Sequence, residues 1–271
     1  MWMGWNGWSS RTNRRGWRCT APGNSTGALF MRTDQPPFTD VRVRRAISQA
    51  IDRQGLIDAV WGRGEPTPAV GRGLVEWSLS IDQLGAGAKY YQYNPKEAGR
   101  LLAEAGYPMG FKTQLTVTPG YGRDLVDDAQ LVQQYLKDVR IEADLKIQEY
   151  GAYIATTVAG KYEGLVRGPY GIAWAPDAPL YRAYAPDSAL NLSHVNDPKL
   201  TAMVQEQRRT KDLEARKKLI FDIQRYAAEQ QYYVYLMSIM FTGSWQPYVQ
   251  NYAPNPSFDY GSRAAALWLE R

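Results

Sequence analysis

A chain of 271 residues with 44% hydrophobic and 22% charged side chains has the composition of a folded globular protein, enough for one large domain or two ordinary ones, which excludes collagen-like, coiled-coil and disordered chains. Apolar residues never run uncharged for the ~18 positions of a membrane-spanning helix; the lone Cys19 forbids an internal disulfide, and the lone His194 leaves no zinc framework, so neither metal nor cofactor is expected. The net charge of +5 gathers in Arg11, Arg14, Arg15 and Arg18 and again between Arg42 and Arg53, while the signs are mixed elsewhere, which argues against a nucleic-acid partner.

Residues 1–26 scatter Trp2, Trp5, Trp8 and Trp17 among Gly, Asn, Ser and Arg with no aliphatic run. They lack the apolar centre of a secretory signal and read as an unstructured or artefactual leader. Regular patterning begins after Phe30. Pro36-Pro37 followed by Thr39 or Asp40 opens a helix. Within it Val43, Ala46, Ile47, Ala50 and Ile51 form an apolar stripe at helical spacing. Gly55 interrupts it, and Leu56 to Trp61 add a short helical turn. The Gly- and Pro-rich stretch from Gly62 to Gly73, continuing towards Tyr90 and Tyr91, reads as an irregular surface excursion.

Asn94-Pro95-Lys96-Glu97 is a strong helix start, because Asn accepts orphan amides and Pro fits the first turn. Ala98, Leu101, Leu102 and Ala105 give that helix its inner face, and Gly106 with Pro108 stops it. Phe111, Thr113, Leu115 and Val117 alternate with polar residues, as do Ile141, Ala143, Leu145 and Ile147. Both are half-buried strands. The helix between them buries Leu125, Ala129, Val132, Leu136 and Val139. Strand, helix and strand at this spacing predict a right-handed βαβ unit. Asp127-Asp128 occupy adjacent helical positions about 100° apart and read as a solvated face.

A helix over Tyr150–Val158 and a strand near Gly164–Val166 follow. Then Gly168-Pro169-Tyr170-Gly171-Ile172-Ala173-Trp174-Ala175-Pro176-Asp177 mixes turn formers with aromatics and predicts a shaped loop. Tyr170, Trp174 and Asp177 are candidate ligand-binding residues, since small-molecule sites combine aromatic walls with a few convergent polar groups. Arg167 could pair an anionic ligand group bidentately, or stand as a solvated strand-end charge. Asp197-Pro198 caps a further helix, Thr210 or Asp212 opens a longer one, and Tyr232 to Phe241 is apolar enough for a buried strand. Tyr232, Tyr233 and Tyr235 could stack bases or fill core; in such a strand they fill core.

Two alternatives from other classes remain. Ser193 and His194, with Asp197 close by, suggest a hydrolase on an α/β scaffold, although no G-x-S-x-G elbow surrounds any serine and triads are assembled by the fold. The aromatic, basic leader suggests an RNA- or membrane-surface contact.

Longer blocks carry a family resemblance. Gln35-Pro36-Pro37-Phe38-Thr39-Asp40-Val41-Arg42-Val43-Arg44-Arg45-Ala46-Ile47, continued by Ala50-Ile51-Asp52-Arg53, resembles the PPF-D-RVR-A…A-DR signature of family 5 extracellular solute-binding proteins, the peptide- and nickel-binding receptors of ABC importers. Tyr93-Asn94-Pro95 through Glu104-Ala105-Gly106-Tyr107-Pro108 is similar to the family's Y-P-A-LL-EAGYP helix. Asp197-Pro198 through Arg216, with Trp268-Leu269, fits its closing region, so the resemblance covers about residues 27–271.

The resemblance implies the C-terminal lobe of a type II periplasmic-binding-protein-like α/β fold, a mixed open sheet flanked by helices. Residues 27–235 would form the ligand-closing second lobe, and 236–271 a tail that completes the first lobe in full-length relatives. It implies no enzyme activity: a truncated substrate-binding component that holds a peptide or similar solute between two lobes for membrane permease subunits. A monomer is expected, periplasmic or at the cell surface as full-length relatives are. Peptide-binding relatives usually read G-W-x-x-D-x-x-D-P in the ligand loop, the first Asp pairing with the ligand's ammonium. Here Asp177 with Pro179 stands for the second Asp, and Ile172 or Ala173 falls near the place of the first.

Overall fold

The computed structural model describes residues 11–12, 18–170, 175–251 and 267–270, with backbone alone for 11–12, 18–25, 72 and 240–245. In chain order the strands are β1 (Arg11–Thr12), β2 (Arg18–Met31), β3 (Gly64–Pro66), β4 (Phe111–Val117), β5 (Ile141–Ile147), β6 (Leu165–Tyr170), β7 (Tyr233–Trp245), β8 (Val249–Gln250) and β9 (Trp268–Leu269). The helices are α1 (Val41–Ala50), α2 (Arg53–Leu56), α3 (Pro95–Glu104), α4 (Asp124–Asp138), α5 (Tyr150–Ala152), α6 (Asp177–Tyr184), α7 (Pro198–Arg209) and α8 (Leu213–Gln230). Wider, π-type turns extend α2 through Ile57–Trp61 and α5 through Tyr153–Val158.

One mixed sheet carries the fold, in the order β3-β7-β2-β6-β4-β5, with β1 paired to β2 and a separate two-stranded β8-β9 sheet. β3, β7, β2 and β6 pair antiparallel, whereas β4 runs parallel to both β5 and β6. The predicted βαβ unit is therefore present, with Leu115 opposite Leu145 and Val117 opposite Ile147.

The two-residue period of the strands divides the interior into two cores, one on each face. Leu29, Met31, Val234, Leu236 and Leu165 point to the face covered by α1, α3 and α4. Their neighbours Ala28, Phe30, Tyr233, Tyr235 and Val166 point to the other, covered by α6, α7 and α8. Central strands buried on both faces read as continuous apolar runs. On β4 and β5, by contrast, Lys112, Gln114, Glu142, Asp144 and Lys146 alternate with core residues. That half of the sheet keeps an open polar face, and Lys112 and Glu142 pair there at 3.0 Å.

The helix starts follow the capping residues. Asp40 accepts the Arg42 amide, Asp52 the Gly55 amide, Asn94 the Glu97 amide, and Asp197 the amides of Lys199 and Leu200. Arg44 donates to the carbonyls of Phe38, Thr39 and Gln230. Arg53 donates to those of Ser48, Tyr91 and Tyr235, tying the end of α1 to β7. The PPF-D-RVR…DR block is thus a folding motif: its acids cap helices and its arginines satisfy buried carbonyls.

Several expectations need correction. Residues 18–26 belong to β2, with Arg18 opposite Trp245 and Thr26 opposite Ser238, so the described part of the expected leader is paired strand. It shows no apolar alternation because main-chain hydrogen bonds to β7 hold it. The boundary expected at 235/236 falls inside β7, where Leu236 and Met237 are buried in the first core. The stretch before Tyr91 is no surface excursion. Residues Ile81–Tyr91 form 3₁₀ turns, kinked at Gly85, that bury Leu84, Tyr90 and Tyr91. β6 runs on through Gly168-Pro169-Tyr170, where a loop was predicted, because the antiparallel neighbour β2 continues beside it.

Candidate functional site

β4, β5 and β6 are parallel, so their carboxyl ends share one edge of the sheet. Open α/β sheets bind ligands in the crevice outside such ends. From that edge the chain leaves β4 through Thr118–Gly122, β5 through Gln148–Tyr150, and β6 at Tyr170.

Each segment is held from behind. The Thr118 hydroxyl accepts the Gly120 amide at 3.2 Å. The Gln148 amide donates to the Val117 carbonyl at 2.8 Å, joining the two strand ends. The Gln148 side chain then bonds both Thr156 and Thr157 in the helical turns that follow. Glu149 caps α5; the amides of Gly151 and Ala152 hold its carboxyl below the ordinary glutamate range.

On this support stand two half-exposed phenols. The rings of Tyr121 and Tyr150 meet edge to face with centroids 5.3 Å apart, and Tyr153 adds a second edge contact to Tyr121 at 6.1 Å. A Cβ on Gly120 would lie 2.2 Å from Cδ2 of Tyr150, so the ring rests directly on the Gly120 backbone. Gly168 plays the same part for Tyr153, whose hydroxyl would be 2.7 Å from a Cβ there. Burial and the neighbouring Tyr150 phenol push Tyr121 up to about 12, so it is neutral at physiological pH.

The four residues singled out from sequence are placed differently from one another. Trp174 lies outside the described residues. Tyr170 is buried, its ring among Tyr233 and Tyr235 and its hydroxyl donating to the Pro179 carbonyl. Arg167 is not the solvated strand-end charge that was the alternative to a ligand contact. It is wholly buried, and its guanidinium grips Asp128 through Nε and Nη2, the latter at 2.8 Å. Asp128 also accepts the Trp61 indole N–H at 2.7 Å, so the expected solvated face of Asp127-Asp128 holds only for Asp127. Strand alternation explains this inversion, since Arg167 shares its side of β6 with Leu165, facing α4. Asp177 opens α6, and its Oδ1 accepts Gln207 Nε2 at 2.5 Å and pairs with Arg208 at 3.3 Å. Tyr170–Pro179 therefore ties the end of β6 to α6, and Asp177–Gln207 ties the start of α6 to α7.

Sequence reasoning missed Tyr121 and Tyr150. The available signal was their position, an aromatic shortly after the last apolar residue of each strand in the βαβ unit.

The hydrolase alternative has no geometry behind it. Ser193 is fully buried and its Oγ accepts the Met31 amide at 3.2 Å, while His194 Nε2 faces the Gly160 carbonyl at 3.1 Å. No carboxylate is bonded to the imidazole among the described residues. Nor, among them, is there a group of three or more His, Cys, Asp or Glu able to hold a metal, or a helix long and apolar enough to cross a membrane. A groove of about 780 Å³ opens on the polar face of β4 and β5. It is lined by Arg32, Lys112, Lys146 and Lys161 with Asp144 and Glu163, and Arg32 and Lys112 are already paired with Asp34 and Glu142.

A mixed sheet flanked by helices and open on one face at β4 and β5, with a reinforced aromatic rim at the carboxyl ends of its parallel strands, has the architecture of a periplasmic-binding-protein-like α/β lobe. The family described as "Bacterial extracellular solute-binding proteins, family 5 Middle" matches residues 9–191, and the chain belongs to that family. Members similar to it are solute-binding proteins rather than enzymes. Di/tripeptide-binding protein 3 of Pseudomonas aeruginosa is 27% identical over 77% of this chain and 39% of its own. The dipeptide-binding protein of Escherichia coli is 27% identical over 70% of this chain and 36% of its own. Among solved structures, the oligopeptide-binding protein AppA of Bacillus subtilis superposes with a TM-score of 0.80 at 20% identity, over 94% of this chain and 53% of that one. This chain thus spans about two-fifths of the length of the curated relatives it matches.

Proposed function

We propose that this chain is the lobe of an ABC-importer receptor that closes over a small solute, a peptide or a chemically similar molecule, for delivery to permease subunits in the membrane. The observation that carries it is the rim at the carboxyl ends of β4, β5 and β6, where clamped loops present two half-exposed tyrosines to one side. Work of this kind is binding and closure, with no bond made or broken. Asp177, whose carboxylate keeps 29% exposure, and Trp174, singled out with it from the sequence, would line the same side. The protein would act as a monomer in the periplasm or at the cell surface, where full-length relatives work.

Selectivity in a two-lobed receptor comes from the extra affinity of the closed state, which requires contacts from both lobes. The chain by itself is therefore expected to bind di- and tripeptides weakly, with Kd above about 10 μM, and the shifts are expected at 118–122, 148–154 and 175–177. Calorimetry together with amide NMR titration tests this. Submicromolar binding, or shifts confined to another face, would overturn the proposal.

A further inference from the structure

Eleven large apolar side chains are exposed among the described residues, and four of them, Tyr121, Ile147, Tyr150 and Ile154, belong to the single edge where β4 and β5 end. Their exposures run from 38% to 56%. Tyr150 and Ile154 are four residues apart in consecutive helical turns and so share a side. An apolar concentration of this kind marks a contact site rather than ordinary surface scatter.

The charged groups on the rim's own side are mostly engaged, while Lys146, next to Ile147, lines the groove on the polar face of β5. Asp128 neutralises Arg167 inside the core. Asp177 takes Gln207 and Arg208, and Glu149 is turned onto the amides of α5. Arg123 is exposed between Gly122 and α4, but Asp124 and Asp127 follow it within one turn and offset its charge. What the edge offers without reorganisation is ring surface. Tyr150 sits against Gly120, with Tyr121 edge-on beside it, and the two residues are 43% and 40% exposed.

We infer that this lobe meets its solute through a neutral flat or apolar face laid on the Tyr121–Tyr150 pair, and not through a charged terminus. An aromatic peptide side chain and the face of a sugar ring share that chemistry. The inference rests on the function proposed above and narrows it.

The test titrates the full chain, by calorimetry and amide NMR, with Ala-Ala-Ala, Ala-Phe-Ala, the N-acetylated and C-amidated Ala-Phe-Ala, and maltose. Ala-Phe-Ala should bind roughly three- to tenfold more tightly than Ala-Ala-Ala, the range expected of one aromatic pair. Blocking both termini should change Kd by less than about twofold, because no ion pair is made there. Tyr150→Ala should remove the advantage of the Phe peptide and Tyr150→Phe should keep it, with Tyr121→Ala as a second variant and circular dichroism reporting that each folds. Maltose binding with the same Tyr150 dependence would support the platform and make the sugar face its source. Equal binding of Ala-Ala-Ala and Ala-Phe-Ala, lost on blocking the termini, would overturn the inference while leaving the receptor proposal standing. No response of the rim to any of the four probes would overturn both.

Discussion

Asp128 and Arg167 are both wholly shielded from water, and each is tolerable only because the other is present. Removing one partner of such a pair leaves an uncompensated buried charge, at a cost of about 3–5 kcal/mol. Asp128→Ala and Arg167→Met should each destabilise the chain by that order in urea unfolding, and the double variant by clearly less than their sum. A ligand-binding role for Arg167 would instead show as lost affinity at unchanged stability. Asp197 gives a pH dependence. Burial opposes its ionisation, but the phenols of Tyr226 and Tyr232 and the amides of Leu200 and Lys199 outweigh this and hold the carboxyl below its usual value of 3.8. A carboxyl depressed in the folded state stabilises above its unfolded pKa, and that stability is lost as pH falls through the folded value. Asp197→Asn should therefore flatten the fall in stability measured below about pH 4, while lowering stability at neutral pH.

The helices were legible because their starts are chemical. Asn94 and Asp197 accept orphan amides where their sequences predicted, and Asp40 and Asp212 prove to be the caps where Thr39 and Thr210 were the alternatives. Glu97, in the first turn of α3, pairs its carboxylate with Arg100 at 2.6 Å. The alternation in β4 and β5 was equally plain, because one face of each is wet. The rest of β6 and the early part of β2 were not, since Gly168-Pro169 and Gly23 have no strand propensity and are strand only because a neighbour pairs with them. A single glycine fixes the turn into β4. Gly110 has φ of 75° and a Cβ there would stand 1.8 Å from the Arg140 carbonyl oxygen. Gly110→Ala should cost at least about 1–3 kcal/mol for the left-handed backbone alone. Thermal melts should show it, with the βαβ unit losing exchange protection first.

Across the whole molecule, stability should be greatest where β2 and β7 are covered on both faces and least at the rim, which stands outside both cores. Hydrogen exchange should accordingly be slowest at Leu29–Met31 and Val234–Met237 and fast at 119–122 and 150–154. A bound solute should slow exchange at the rim and leave the central strands unchanged; uniform slowing would place binding elsewhere. The candidate site was only partly legible. The segment around Trp174 and Asp177 was singled out from its composition alone, whereas Tyr121 and Tyr150 are unremarkable in sequence and become neighbours only when the parallel strands bring two loops to one edge. Sequence alone determined the family, the helix starts and the βαβ unit, because caps, periodicity and motif blocks are local facts. Tertiary structure alone decided which charges are buried, that Arg167 is paired with Asp128 inside the core, and which aromatics face outward, because those outcomes depend on what packs against each residue from far away in the chain.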